Sequence, residues 1–172
     1  MRELADVARV REFMRLLGRA ADREADVYFT GGATAVLVGW RPTTIDVDIK
    51  IEPELDSLLH AIPQIKDELR INVELASPAE FIPVPDGWKE RSISIGREGK
   101  VSFHHFDPVA QALAKLERAH DRDLADVREM LAAGLVEPPR ALTLFEEIEP
   151  RLYRFPAIDP KRFRRRVEEA FG

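Results

Sequence analysis

At 172 residues, 45% of them hydrophobic, the chain suffices for one domain, or for a compact domain with a helical extension, and can bury a core. Its charged residues, 33% of the total, mix both signs to a net −5, which argues against a broad nucleic-acid-binding face, although Arg162, Arg164, Arg165 and Arg166 form a local basic cluster. With no cysteine, no apolar run of the ~18 to 20 residues needed to span a bilayer, and a charged N-terminus without a signal-peptide apolar region, disulfide frameworks, thiolate zinc sites and membrane insertion are excluded, and a cytoplasmic location is expected.

In chain order, residues 4–21 read as an amphipathic helix, with Leu4, Val7, Val10, Phe13, Met14 and Leu17 at three- and four-residue spacing. Val27–Thr30 is a short buried strand ending at Gly31 and Gly32, and Ala33–Gly39 supplies the first turns of a helix. Residues 41–44 form a loop, since the residue before Pro42 disfavours the α region. Ile45–Ile51 alternates: Ile45, Val47, Ile49 and Ile51 on one face, Asp46, Asp48 and Lys50 on the other. Residues 54–69 read as helix, interrupted or restarted near Pro63, and Ile71–Leu75 as a third strand. Residues 76–91, with Pro78, Pro83, Pro85 and Gly87, read mostly as loop. Ser92–Ile95 and Val101–Phe106 flank a hairpin turn at Gly96–Gly99. Beyond that the pattern is helical. Asp107 is an N-cap with Pro108 at the first position of a helix to about His120. Further helices follow over 124–133, after Pro138-Pro139 and from Asp159-Pro160. The expected fold is α+β, a small mixed sheet with flanking helices over residues 1–106, followed by a helical region, 107–172, packed on it. His104 and His105, adjacent on a strand, are expected to point to opposite faces.

The chemistry sits between residues 30 and 51. Two carboxylates spaced i, i+2 on a strand project from one face, and like charges that close repel unless a cation lies between them. Hard oxygen ligands of this kind suit Mg²⁺ or Mn²⁺, which takes one or two carboxylates together with substrate phosphates. A glycine pair just upstream lets backbone approach such phosphates closely.

Three stretches resemble the nucleotidyltransferase superfamily related to DNA polymerase beta, and within it the bacterial AbiEii-like branch and related uncharacterised families. They are Gly31-Gly32 with Ala33 and Thr34; Arg41-Pro42-Thr43-Thr44-Ile45-Asp46-Val47-Asp48; and Lys115-Leu116-Glu117-Arg118 followed by Arg122-Asp123-Leu124-Ala125-Asp126-Val127. The resemblance covers about residues 28–127. It implies a metal-dependent transfer of NMP from an NTP to an RNA, such as tRNA, or a protein acceptor. It further implies a toxin-like role beside a cognate antitoxin. Asp46, Asp48 and Glu74 would be the catalytic, metal-holding acids. Gly31, Gly32, Thr34, Lys115, Arg118, Asp123 and Asp126 would bind the nucleotide, with Asp123 and Asp126 orienting Lys115 or lining the pocket. Asn72, on the same strand face as Glu74, would contact substrate or metal-bound water. The family often has a serine after its glycines, where this chain has Ala33. That difference motivates an alternative, a nucleotide-binding or interaction module with the same fold and weakened catalysis.

Overall fold

A computed structural model describes all residues, 1–172. The chain divides into two units: residues 1–77 with 92–106, and residues 78–91 with 107–172. The chain crosses between the units after residues 77, 91 and 106, so Pro78–Arg91 belongs to the second unit.

The first unit is an α+β layer. Its helices are α1 (Val7–Ala20), α2 (Gly32–Val38) and α3 (Asp56–Leu69). Its strands are β1 (Ala25–Thr30), β2 (Asp46–Glu52), β3 (Asn72–Leu75), β4 (Ile93–Glu98) and β5 (Val101–His105), in the order β3-β2-β1-β5-β4. The sheet is mixed: β2 runs parallel to β3, and β1 parallel to β5, while β1–β2 and β4–β5 are antiparallel. Asp6 starts α1 by accepting the Arg9 N–H at 2.9 Å, and the stripe Val10, Phe13, Met14 and Leu17 is buried. Together with Phe29, Ile49, Leu58 and Phe103 it forms the core. The period-two pattern of β2 decides which side faces this core: Val47, Ile49 and Ile51 are buried, and Asp46, Asp48, Lys50 and Glu52 are only half-buried.

The structure differs from the sequence expectation in several places. Strand β2 begins at Asp46, and Ile45 is exposed. Helix α3 runs unbroken through Pro63, which lies exposed, where water can take over from the missing backbone donor. Strand β4 continues through Gly96 to Glu98, with a register shift between Ser94 and Gly96, so the hairpin turns at Gly99 and Lys100 instead. Gly99 has φ +57°, and a Cβ there would lie 2.5 Å from the Gly18 carbonyl oxygen, so the turn and α1 meet backbone to backbone.

The second unit is helical: α4 (Trp88–Arg91), α5 (Pro108–Arg118), α6 (Asp121–Ala132), α7 (Pro138–Ile148) and α8 (Pro160–Phe171), with short 3₁₀ segments at Pro78–Glu80 and Glu149–Arg154. Asp107 starts α5 through its Oδ1, which accepts the Val109 N–H at 3.0 Å, and its Oδ2 accepts from Arg91 Nε at 2.9 Å. Burial pushes the Asp107 carboxyl up and the Arg91 guanidinium pulls it back. Helix α6 starts at Asp121 rather than near Leu124, because His120 and Asp123 close a reciprocal capping box. Phe145 and Phe163 pack edge-on at 5.0 Å between α7 and α8. Two arginines of the C-terminal run are spent inside the unit: Arg164 pairs with Glu149 and Glu168, and Arg166 donates to the carbonyls of Leu116 and Glu117. No helix is long and apolar enough to cross a membrane.

Candidate active site

The antiparallel register of β1 and β2 sets Thr30 opposite Asp48, so the chain leaves β1 beside the acidic end of β2. It turns there at Gly31, whose φ +62°, ψ −127° is open to glycine and strained for other residues. A Cβ on Gly31 would stand 3.4 Å from Asp48 Oδ2, which places that carboxylate directly against the turn. Gly32 is needed for space. A Cβ there would fall 1.9 Å from Thr44 Oγ1 and 3.5 Å from an Arg41 guanidinium nitrogen. The Thr44 hydroxyl donates to the Asp46 carbonyl at 3.0 Å. One glycine therefore supplies a backbone conformation, and the other the room for the loop that leads into β2.

Asp46 and Asp48 share the half-buried face of β2, about 6.6 Å apart along the strand. The parallel neighbour β3 sets Asn72 beside Asp46 and Glu74 beside Asp48. The Asn72 amide nitrogen donates to Asp46 Oδ1 at 2.5 Å and to Glu74 Oε1 at 3.0 Å. Thus Asp46, Asn72 and Glu74 form one hydrogen-bonded row, with Asp48 on the same face of β2 and against the Gly31 turn. No three His, Asp or Glu side chains gather closely enough to hold a metal ion by themselves. The donor set still fits a hard divalent cation that takes Asp46 and Asp48 and completes its shell from substrate phosphate and water.

Thr34 lies elsewhere. It is 1% exposed, and its hydroxyl donates to the Phe29 carbonyl at 3.4 Å and meets His105 Nδ1 at 3.0 Å. This contact ties α2 to β1 and β5 from within the core. Burial, with a smaller contribution from Arg11, lowers the His105 pKa from 6.5 to about 4, so the ring is neutral near pH 7. His104 faces the other way, as expected of adjacent strand residues. Its Nε2 meets Asp26 Oδ1 at 2.8 Å and its ring stacks on Tyr28 at 4.9 Å.

The four nucleotide-binding candidates of the second unit form their own cluster. Lys115 Nζ donates to Asp126 Oδ2 at 2.8 Å and lies 3.9 Å from Asp123, with all three side chains almost wholly buried. Arg118 donates to Asp123 Oδ1 at 2.8 Å and lies over the Phe81 ring at 5.4 Å. The three-residue step from Lys115 to Arg118 on α5 lets both cations reach the first turns of α6. Asn72, which the sequence already sets on one strand face with Glu74, also links that acid to Asp46. The nearness of Arg41 to the Gly32 position and the bond from Arg91 to Asp107 carry no signal in the local sequence.

The family described as a nucleotidyltransferase of unknown function (DUF6036) matches residues 5–157. Neither a curated protein nor a solved structure matches the chain. The matched span holds the Gly31 turn, the acids of β2 and β3, and the Lys115 cluster, together with nearly all of the remaining fold. The chain belongs to this family of nucleotidyltransferases.

Proposed function

We propose that the protein is a divalent-metal-dependent nucleotidyltransferase that moves NMP from an NTP to an RNA or protein acceptor. The observation that carries this reading is the pair Asp46 and Asp48, set on one strand face with Asp48 against the side-chain-free turn at Gly31. Asp46 and Asp48 would hold Mg²⁺ or Mn²⁺, with Glu74 as the third acid. When bound, the metal supplies charge neutralisation on the phosphates and alignment of the attacking and leaving oxygens. The chain's own part is positional. Register between β1, β2 and β3 fixes the acids, and Gly31 itself puts no side chain against Asp48. Glu74, exposed at the edge of the row, would accept a proton from an acceptor hydroxyl.

A toxin-like role beside a cognate antitoxin, as in the AbiEii-like branch, is the finer form of this proposal. It is supported by the Thr44-Ile45-Asp46-Val47-Asp48 and Arg122-Asp123-Leu124-Ala125-Asp126 stretches. A part for Lys115 and Arg118 in nucleotide binding rests on the same resemblance and has its own test, loss of NTP affinity in Lys115→Met. The committed arginines of α8 leave less charge there for a polynucleotide, which favours a small or protein acceptor over a long RNA on that helix.

The test is label transfer from each α-³²P-NTP, with Mg²⁺ or Mn²⁺, onto total bacterial RNA and onto protein. Transfer by the wild type and none by Asp46→Asn/Asp48→Asn supports the enzyme. A second reading, a nucleotide-binding module without turnover, is favoured by one observation: the third acid is tied to Asn72 and no three-acid cluster is assembled. NTP binding with no transfer, unaffected by the double substitution, selects that reading.

A further inference from the structure

We propose that Asn72 is a placeholder for the cation: its amide occupies the gap between Asp46 and Glu74 and must swing away before both acids serve one divalent ion. This rests on the reading of Asp46, Asp48 and Glu74 as the metal-holding acids.

A primary amide has two N–H donors. The Asn72 nitrogen lies 2.5 Å from one carboxylate and 3.0 Å from another, so each donor meets a different acid. Hydrogen bonds to ionised groups are the stronger kind, and here a neutral group makes two at once. The arrangement offsets the mutual repulsion of acids brought together by strand register, without adding a charge. A cation set in that same gap would take the carboxylate oxygens that the amide now bonds, Asp46 Oδ1 and Glu74 Oε1. Amide and cation therefore compete, and the affinity of the free protein for the ion falls by whatever the amide contacts contribute. Asn72 is half-buried at the start of β3, not enclosed in the core, which leaves its side chain room to change rotamer.

The competition makes opposite predictions from a purely positioning role. If the amide only steadied Asp46, removing it would weaken ion binding. If it holds the ion's place, removing it tightens binding. Replacing it with a carboxylate of the same shape tightens binding further, because a donor becomes a fourth acid.

The experiment is calorimetric titration of the nucleotide-free protein with Mn²⁺ alone, for wild type, Asn72→Ala, Asn72→Asp and Asp46→Asn, with thermal unfolding of each before and after Mn²⁺. The expected result is affinity at least threefold tighter in Asn72→Ala and at least tenfold tighter in Asn72→Asp. Asn72→Asp should also have a lower Tm without the ion, regained with it, a signature that a merely misfolded variant does not give. Unchanged or weaker binding in folded Asn72→Ala overturns the placeholder role, whatever Asn72→Asp does. Wild-type binding equal to that of Asp46→Asn overturns instead the metal reading beneath it. The two failures are thus told apart.

Discussion

Acidification should destabilise this protein through one buried ring. His105 is 8% exposed and shares a 3.0 Å contact with Thr34, which in turn bonds the Phe29 carbonyl. Its pKa in the fold is about 4, against 6.5 for the free side chain. Between those values the unfolded chain binds a proton and the folded chain does not, so stability rises with pH across this window and falls on acidification. The contribution is complete above about pH 6.5 and is lost progressively towards pH 4. At about 1.36 kcal/mol per pH unit the whole gap corresponds to about 3 kcal/mol, of which about 2 kcal/mol is gone by pH 5. For a chain of this length that is a Tm fall of about 4 to 8 °C. The perturbation is pH, and the control is His105→Gln, whose amide can still meet Thr34 but does not titrate. Urea unfolding of both proteins at pH 7.5 and pH 5 isolates the ring, because every other titrating group is common to the two. The wild type should lose about 2 kcal/mol more than the variant. Parallel losses, or a His105 ring that titrates near 6.5 by NMR, would refute the reasoning.

Other substitutions test the glycine turn and the buried ion pair. Gly32→Ala drives a methyl to 1.9 Å from Thr44 Oγ1. It should cost about 2 to 3 kcal/mol by denaturant unfolding, with only part of that restored by adding Thr44→Ala, since the Thr44 Cβ still lies at 2.7 Å. Asp126→Asn leaves the buried Lys115 ammonium short of its nearest counter-charge and should destabilise by about 3 to 5 kcal/mol. The double variant Lys115→Met/Asp126→Leu should recover most of this, and failure to do so would mean that the pair's hydrogen bonding, not its charge, carries the site. A saturating NTP with Mg²⁺, at about 100 times Kd, should raise the wild-type Tm by about 5 to 10 °C and leave Asp46→Asn/Asp48→Asn nearly unmoved in scanning fluorimetry.

The order of elements was legible where one periodicity ruled. In β2 the alternation of Val47, Ile49 and Ile51 with Asp46, Asp48 and Lys50 separates core face from site face with no competing pattern. Gly31 was legible because a turn with positive φ demands glycine. Positions governed by distant partners were not. The extension of β4 past Gly96 depends on pairing with Ser102 and Phe103, which overrides a glycine that reads as punctuation. Helix α6 began three residues earlier than its apolar pattern, because the capping box at His120 and Asp123 is polar. Thr34 followed glycines as a phosphate-binding hydroxyl would, and its inward orientation is set by His105, 71 residues away. The link from Asn72 to Asp46 needed the β2–β3 register, which no local spacing states. The assignment of Pro78–Arg91 to the second unit likewise rests on contacts beyond the segment, among them that of Arg91 with Asp107.

The interleaving of the two units along the chain limits how the protein can be made and cut. The polypeptide passes from one unit to the other after residues 77, 91 and 106. A fragment beginning at Asp107 would lack Arg91, leaving a wholly buried acid at the head of α5 without its cation. A fragment ending at Ser77 would lack β5, the strand beside β1 in the interior of the sheet. During synthesis, then, neither half can finish early: the sheet waits for residue 105, and the first helical segment made waits for α5. Split reporters and truncations placed at the sequence midpoint will sever both halves at once, whereas tags at the ends of the chain interrupt none of the three crossings.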